Sequence, residues 1–369
     1  MKKDKKQAKY PLVTLCTPTF NRRPFIPIML KCFETQNYPK DKIEWIIVDD
    51  GTDKIEDLVS HIPQIKYMKF EEKLTLGKKR NICNDNAKGD IIIYIDDDDY
   101  YPPERISHAV ETLQKNPKAL CAGSSAMYLY FKHISKMYLF GPYGPNHSTA
   151  ATFAFKKELL KQTRFNETAC LAEERYFLKD YTVPFVQLDP KKTILVFSHV
   201  HNSFDKKELI KQLPNPNIHE TNVLPNDLVK DPDILTFFME DIDILLEDYE
   251  PGKPQNKPDV LKQIDELKEE RENKMKEHIN KQNEYKNAIS KISNLSNPQN
   301  QQEIIVEQSK MIQQLTIENG NLKNKLKYLE DKIKQLIDEQ IKERIENKKR
   351  EQKNDIQEKT LLECEILIS

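Results

Sequence analysis

Over the first two hundred positions, apolar residues come in short unbroken runs, and several end in a polar cluster. LVTLCT (12–17), IEWIIVDD (43–50), IKYMKF (65–70) and DIIIYIDDDD (90–99) read as buried strands. Between them, 24–36, 53–60 and 76–87 carry helical spacing, and 103–115 is an amphipathic helix entered through Pro102 and Pro103. Alternating strand and helix predicts an α/β fold, a mostly parallel sheet flanked by helices. Such sheets bind ligands at the C-terminal ends of their strands. TPTFNRR, VDDGTD and DDDD all fall at those ends, so they should share one crevice.

Downstream, residues 119–141 predict turn-bounded strands and a hairpin, 147–160 a strand and then a helix. Residues 172–181 start a short helix, and 192–204 form a strand with two histidines off its end. The pattern then changes. Residues 206–250 are transitional, and 251–260, rich in proline, read as a linker closing a first domain of 10–250. From 261 to 348 the spacing is helical, and 349–369 is charged enough to predict a flexible tail. Leu315, Leu322, Leu329 and Leu336 recur every seventh residue, with Ile312, Asn319, Leu326 and Ile333 at the alternate seam positions. That is a coiled-coil pattern and predicts a homodimer; a core Asn such as Asn319 favours a parallel pair. A partly disordered monomeric tail is the competing reading.

Composition narrows the function classes. Lysine plus arginine (58) nearly cancels aspartate plus glutamate (59), which gives no case for nucleic acid as the partner. No run is long and apolar enough for a transmembrane segment, and the basic N-terminus has no apolar stretch behind it. The six cysteines are scattered without a CxxC, which predicts free thiols in a reducing, cytoplasmic setting. The abundance of Lys, Asn and Ile fits an AT-rich genome, such as that of a giant virus or a protist; if viral, the setting would be host cytoplasm or virion. That is an association only.

The four aspartates 96–99 pose the chemical question. Adjacent carboxylates repel unless a cation or hydrogen bonds offset them. On an extended segment Asp96 and Asp98 would face one side, Asp97 and Asp99 the other. Hard oxygen donors suit Mg2+ or Mn2+, held by one or two carboxylates plus substrate phosphates. A solvated acidic loop capping the next helix is the plain alternative, but a cap needs one aspartate and no matching clusters elsewhere.

VTLCTPTFNR (13–22), IIVDDGTD (46–53), GKKRNICNDNAKGD (77–90) and YIDDDDYYPPERI (94–106), in that order, resemble glycosyltransferase family 2, the inverting nucleotide-sugar enzymes of GT-A (Rossmann-like) fold. The resemblance implies a metal-dependent transferase using a nucleoside-diphosphate sugar, a UDP-sugar by the uracil contact, with Mn2+ or Mg2+ as cofactor. It implies that Thr17, Pro18, Phe20 and Arg22 line the nucleotide pocket, with Phe20 where the family often has tyrosine. Asp50 would accept from the uracil ring, Arg80 would lie near the nucleotide, and Asp97 would meet ribose or the ion. Asp98 would be the main metal ligand, with Asp96 and His199 beside it; the doubled acidic run leaves that register open by one residue.

The family's base is usually the aspartate of a Glu-Asp pair at a helix start. Here AEER (172–175) supplies Glu173 and Glu174, so Glu174 becomes the base and Glu173 an acceptor-side neighbour. The extra methylene is a departure, and the pair also reads as two helix-start acids favoured by the dipole. His147 and His201 are acceptor-side candidates; on an extended strand His199 and His201 would face the same way. The acceptor could be a glycan, a protein or a lipid-linked sugar. Two other classes stay open: a catalytically degenerate sugar- or nucleotide-sugar-binding protein, and a coiled-coil scaffold.

Overall fold

The structure, a computed structural model, describes residues 9–211, 213–293, 306–327 and 330. It divides into two units, Met1–Glu272 and Asn273–Ser369.

The first unit is built on β1 (Val13–Thr19), β2 (Ile43–Asp49), β3 (Ile65–Lys69) and β4 (Ile91–Tyr94), which lie parallel. The chain continues through β5 (Cys121–Gly123), the hairpin of β6 (Met127–Phe131) and β7 (Lys136–Phe140), β8 (Ala154–Lys156), β9 (Phe185–Gln187), β10 (Leu195–Phe197) and β11 (Ile218–Thr221). One sheet has the order β3-β2-β1-β4-β8-β5-β9, and a second has β10-β6-β7-β11. The expected parallel arrangement holds from β3 to β4 and breaks at β8, which runs antiparallel to both β4 and β5. The sheet is therefore mixed.

Helices α1 (Ile26–Glu34), α2 (Glu56–Val59), α3 (Leu76–Asn86) and α4 (Arg105–Lys115) follow the first four strands. Every residue of β1 is buried, which explains its unbroken apolar run: strands flank it and helices cover both faces. On one face Leu15, Trp45 and Ile93 pack with Ile26, Met29 and Phe33 of α1. On the other, Cys16, Ile46 and Tyr94 meet Cys83 of α3 and the rings of Phe165 and Phe177. Helix α3 buries polar residues instead, among them Lys79, Arg80 and Asn81, because that side faces the strand ends. Gly77 opens it close against the backbone; a Cβ there would lie 1.9 Å from the Asn166 carbonyl oxygen.

The stretch 206–250 is more ordered than the sequence pattern suggests. Beyond β11, Pro232–Thr236 is a helix whose N-cap Asp231 accepts from the backbone N–H of Asp233 and Ile234. Phe237, Phe238, Ile242 and Leu246 follow and pack on Tyr128, Tyr130 and Phe197 of the second sheet. Residues 251–257, expected as linker, also pack inward: Gly252 and Lys257 are buried. The reason is chemical, since the side chains they meet (Asn21, His201, Ser203) are far away in sequence.

Cys16, Cys32, Cys83, Cys121 and Cys170 are buried and unpaired. No helix among the described residues is long and apolar enough to cross a membrane.

In the second unit, residues 306–327 are helical and all their side chains are exposed. Ile312, Leu315, Leu322 and Leu326 of the heptad seam are each more than half exposed. Leu329, Ile333, Leu336 and the 349–369 tail lie outside the described residues.

Candidate active site

The ends of β1 and β4 converge on a cleft of about 340 Å³ whose lining includes Pro18, Phe20, Arg22, Arg80 and all four aspartates, while the end of β2 lies behind it. Thr17 is not on its surface. It is wholly buried below, donating to the Ile95 carbonyl at 2.7 Å and accepting the Trp45 indole N–H at 2.9 Å. Thr17 thus braces β1 against the residue preceding the aspartates.

The two aspartates closing β2 divide their work. Asp49 is structural, accepting from Gly51 N at 2.8 Å, Ile55 N at 3.2 Å and the Tyr67 hydroxyl at 2.6 Å. Asp50 points to the other side, where its oxygens accept from Lys79 Nζ at 2.7 Å and Leu74 N at 2.6 Å. Lys79 also donates to the Thr19 carbonyl at 3.1 Å, which joins the β1 and β2 ends.

The acidic run bends at residues 97–99, so the expected alternation of faces is not observed. Neighbouring carboxylates share one cation instead: Arg22 lies 3.5 Å from Asp97 and 3.1 Å from Asp98. Burial and the Asp98 charge push Asp97 up to about 7. Burial acts on Asp98 too, but Arg22 and His199 outweigh it and hold the carboxyl well below its ordinary range. Asp96 is raised by burial and lies 3.8 Å from Arg80. Asp99 is raised further, and one of its oxygens is buried without a hydrogen-bond partner.

The two histidines sit in a turn and face different ways. His199 Nε2 is 3.3 Å from Asp98, and burial lowers the ring to about 3, so it is neutral. Its Nδ1 accepts the His201 backbone N–H at 3.2 Å, and its Nε2, between Asp98 and the Asn202 amide nitrogen, lies 2.8 Å from the latter. His201 lies under residues 249–252, stacked on Tyr249 at 6.0 Å, and its backbone carbonyl accepts from Arg22 at 2.9 Å. That placement takes His201 off the acceptor side.

Helix α5 (Glu174–Phe177) begins just after Ala172, whose φ of 55° is unusual for a residue with a side chain. Glu173 turns inward and accepts from Arg80 Nε at 2.7 Å. Glu174 accepts from the Ala150 N–H at 3.1 Å, and burial together with the Glu173 charge pushes it up to about 7. His147 lies on the same loop as Ala150, its ring between those of Tyr143 at 5.0 Å and Tyr181 at 5.2 Å.

Four charged cleft-lining residues carry no signal in the strand-end motifs: Lys73, Lys206, Lys257 and Asp259. The ammonium groups of Lys73, Lys79 and Lys257 lie 5.2, 5.8 and 5.9 Å from the Phe20 ring. Lys79 could be found from its place beside Arg80, whereas Lys257 could not, because its neighbours read as linker. Burial, with Arg22 close by, lowers Lys257 to about 7.

Among the described residues, no three His, Cys, Asp or Glu side chains form a metal-holding group. Asp98, whose carboxyl is held well below its ordinary range, still fits a hard cation that takes its other ligands from substrate phosphates.

Residues 14–180 match the family model Glycosyl transferase family 2. That segment, somewhat under half of the chain, spans β1 to β8 and carries a GT-A-like fold of the glycosyltransferase family 2 kind. Similar proteins include an uncharacterized glycosyltransferase of Haemophilus influenzae, 25% identical over 107 residues, or 29% of this chain and 36% of that one. The poly(ribitol-phosphate) beta-N-acetylglucosaminyltransferase TarS of Staphylococcus aureus is 27% identical over 108 residues, covering 28% of this chain and 19% of TarS. An uncharacterized glycosyltransferase of Rickettsia typhi is 32% identical over 113 residues, covering 30% of this chain and 35% of its own. The match thus spans little more than a third, at most, of these relatives. Among solved structures, TarS 1-349 overlays with a TM-score of 0.40 at 20% identity over 50% of this chain and 60% of its own. The mannosyltransferase PcManGT of Pyrobaculum calidifontis, in complex with GDP-Man and Mn2+, gives 0.42 at 16% identity over 68% and 73%.

Proposed function

We propose that this chain transfers a sugar from a nucleoside-diphosphate sugar, a UDP-sugar in our reading, to an acceptor hydroxyl with inversion. The observation that carries the proposal is Glu174: a carboxyl tuned to about 7 and fixed by the N–H of Ala150, whose neighbours Thr149 and Ala151 line the cleft together with the aspartates. An alcohol is a poor nucleophile until its proton is taken, and a base works best with a pKa near the operating pH. In one displacement the acceptor oxygen bonds the anomeric carbon, the bond to the diphosphate breaks, and the acceptor proton passes to Glu174. Asp50 and Phe20 hold the base and ribose end, and Arg22 faces the diphosphate. Asp98, flanked by Asp96 and His199, would hold Mn2+ or Mg2+, and the ion would offset charge developing on the leaving diphosphate. The acceptor is a glycan, protein or lipid-linked hydroxyl, and the free buried cysteines accord with a cytoplasmic setting.

We further propose domain limits of 10–250 and 261–348, and a homodimer through the exposed heptad seam around Leu315 and Leu322. Light scattering tests the dimer: Leu315→Asp with Leu322→Asp should halve the mass, and an unchanged mass would discard the seam.

Titration calorimetry with UDP, with Mn2+ and then with EDTA, tests the donor site. Binding that needs the ion and disappears in Asp98→Asn is the expected result. Release of UDP from a panel of UDP-sugars then tests turnover. Binding without turnover in the presence of candidate acceptors would point to a sugar-nucleotide-binding protein, and no binding would sink the reading.

A further inference from the structure

Cations around the cleft are paired with carboxylates in all but a few cases. Lys79 pairs with Asp50 at 2.7 Å, Arg22 with Asp97 and Asp98, and Lys73 with Asp259. Lys257 differs. It is 6% exposed, its ammonium donates to the Ser203 hydroxyl at 2.9 Å, and it makes no ion pair with a carboxylate among the described residues. Asp97 and Asp98 act on it only from beyond ion-pair distance. A buried charge left without a counter-charge is strongly disfavoured. This one nevertheless lies at the wall of a cleft, beside Arg22, with one hydroxyl as its partner.

The segment that delivers it is firmly anchored. Asn21 Nδ2 donates to the Pro251 carbonyl at 2.9 Å, and the Tyr249 hydroxyl donates to Asp53 at 2.8 Å. Gly252 passes so close to the β1 end that a Cβ would lie 2.7 Å from His201 Nδ1 and 2.8 Å from the Asn21 carbonyl oxygen. The backbone before Lys257 is therefore fixed against the end of β1.

We propose that Lys257 and Ser203 form an anion subsite for a phosphate group, supplied to the cleft from the segment that follows the sheet domain. Resting on the donor reading above, its ligand is the diphosphate of the sugar nucleotide. An ammonium binds phosphate as a point charge, and Ser203, whose oxygen accepts from Lys257, adds its O–H as a neutral donor beside it. The Phe20 ring lies 5.9 Å from the ammonium.

Calorimetry on the full chain tests this, with inorganic pyrophosphate, UDP and uridine as separate probes in Mg2+. Loss of one charge-assisted hydrogen bond should weaken pyrophosphate and UDP about tenfold to a hundredfold in Lys257→Met, leaving uridine unchanged. Lys257→Arg should recover most of the affinity. As a check that needs no variant, pyrophosphate should protect Lys257 from acetylation, read by mass spectrometry, while exposed Lys211 stays reactive. Pyrophosphate binding that depends on Lys257, without any binding of UDP, would retain the subsite and remove the sugar-nucleotide reading. Unchanged pyrophosphate affinity in a folded Lys257→Met, absence of pyrophosphate binding by the parent, or no protection of Lys257 would each overturn the proposal.

Discussion

Arg80 Nε lies 2.7 Å from Glu173 Oε1, and a second nitrogen of the same guanidinium is 3.8 Å from Asp96. One buried cation thus ties the acidic loop of β4 to the helix start that carries Glu174. Removing one member of such a pair leaves the other charge uncompensated, at about 3–5 kcal/mol. Arg80→Met should therefore destabilise the first unit by that order, read by urea unfolding. It should also lose turnover beyond its loss of stability, since the acidic loop and that helix start lose their tie.

Glu174 sets the expected pH dependence. With a folded value of about 7, its carboxylate form, the one able to accept a proton, declines below neutrality. The turnover rate should fall about tenfold per pH unit below that value. Glu174→Gln should lower turnover about a hundredfold or more while binding UDP normally. The stability effect has a definite sign: a raised carboxyl favours the folded state fully below its unfolded value of about 4.3, and that contribution is lost as pH rises through 7. Glu174→Gln should hence be more stable than the parent at pH 8, with the gain gone at pH 4. An equal gain at both would show that the side chain is not desolvated.

Much of the first unit is legible in its patterning because β1, β2 and β4 are buried on both faces and the polar ends of β1 and β4 face one cleft. The mixed second half is less so. Three-residue strands such as β5, β8 and β9 give no periodicity, and the reversal of β8 is a property of pairing. Arg80 and Asp98, singled out through the family resemblance, line the cleft, whereas Asp50 is buried against Lys79. The bend that lets Arg22 serve both Asp97 and Asp98 could not be read from the sequence, since adjacent residues in a sequence imply opposite faces only if the chain is straight. His201 fails for the same reason. Lys257 was hidden because proline and glycine punctuate a packed turn as readily as a linker.

Thr17 links the sole tryptophan to the acidic loop, through 2.9 Å from the indole and 2.7 Å to the Ile95 carbonyl. Thr17→Val keeps the shape and strips both bonds, leaving a buried N–H and a buried carbonyl unpaired. A loss of about 1–3 kcal/mol should follow. Trp45 fluorescence reports it directly, as a shifted emission in the folded protein and an earlier unfolding midpoint. An unaltered emission spectrum would mean that the hydroxyl does not touch the indole in solution.

Gly252→Ala tests how far the segment holding Lys257 is fixed. The new Cβ would meet His201 Nδ1 at 2.7 Å, the Asn21 carbonyl oxygen at 2.8 Å and the Tyr249 ring at 2.9 Å. Two of these are ring atoms packed in place and one is backbone, so relief must come from the segment moving outward. Overpacking of this kind costs about 1–3 kcal/mol. The displaced segment should carry Lys257 away from Ser203, so affinity for UDP should fall in Gly252→Ala, although residue 252 itself is not in the cleft lining. Adding Lys257→Met to Gly252→Ala should then lower affinity little further, because both changes withdraw the same ammonium. Additive losses in the double variant would show that the segment acts on the cleft by a route other than Lys257.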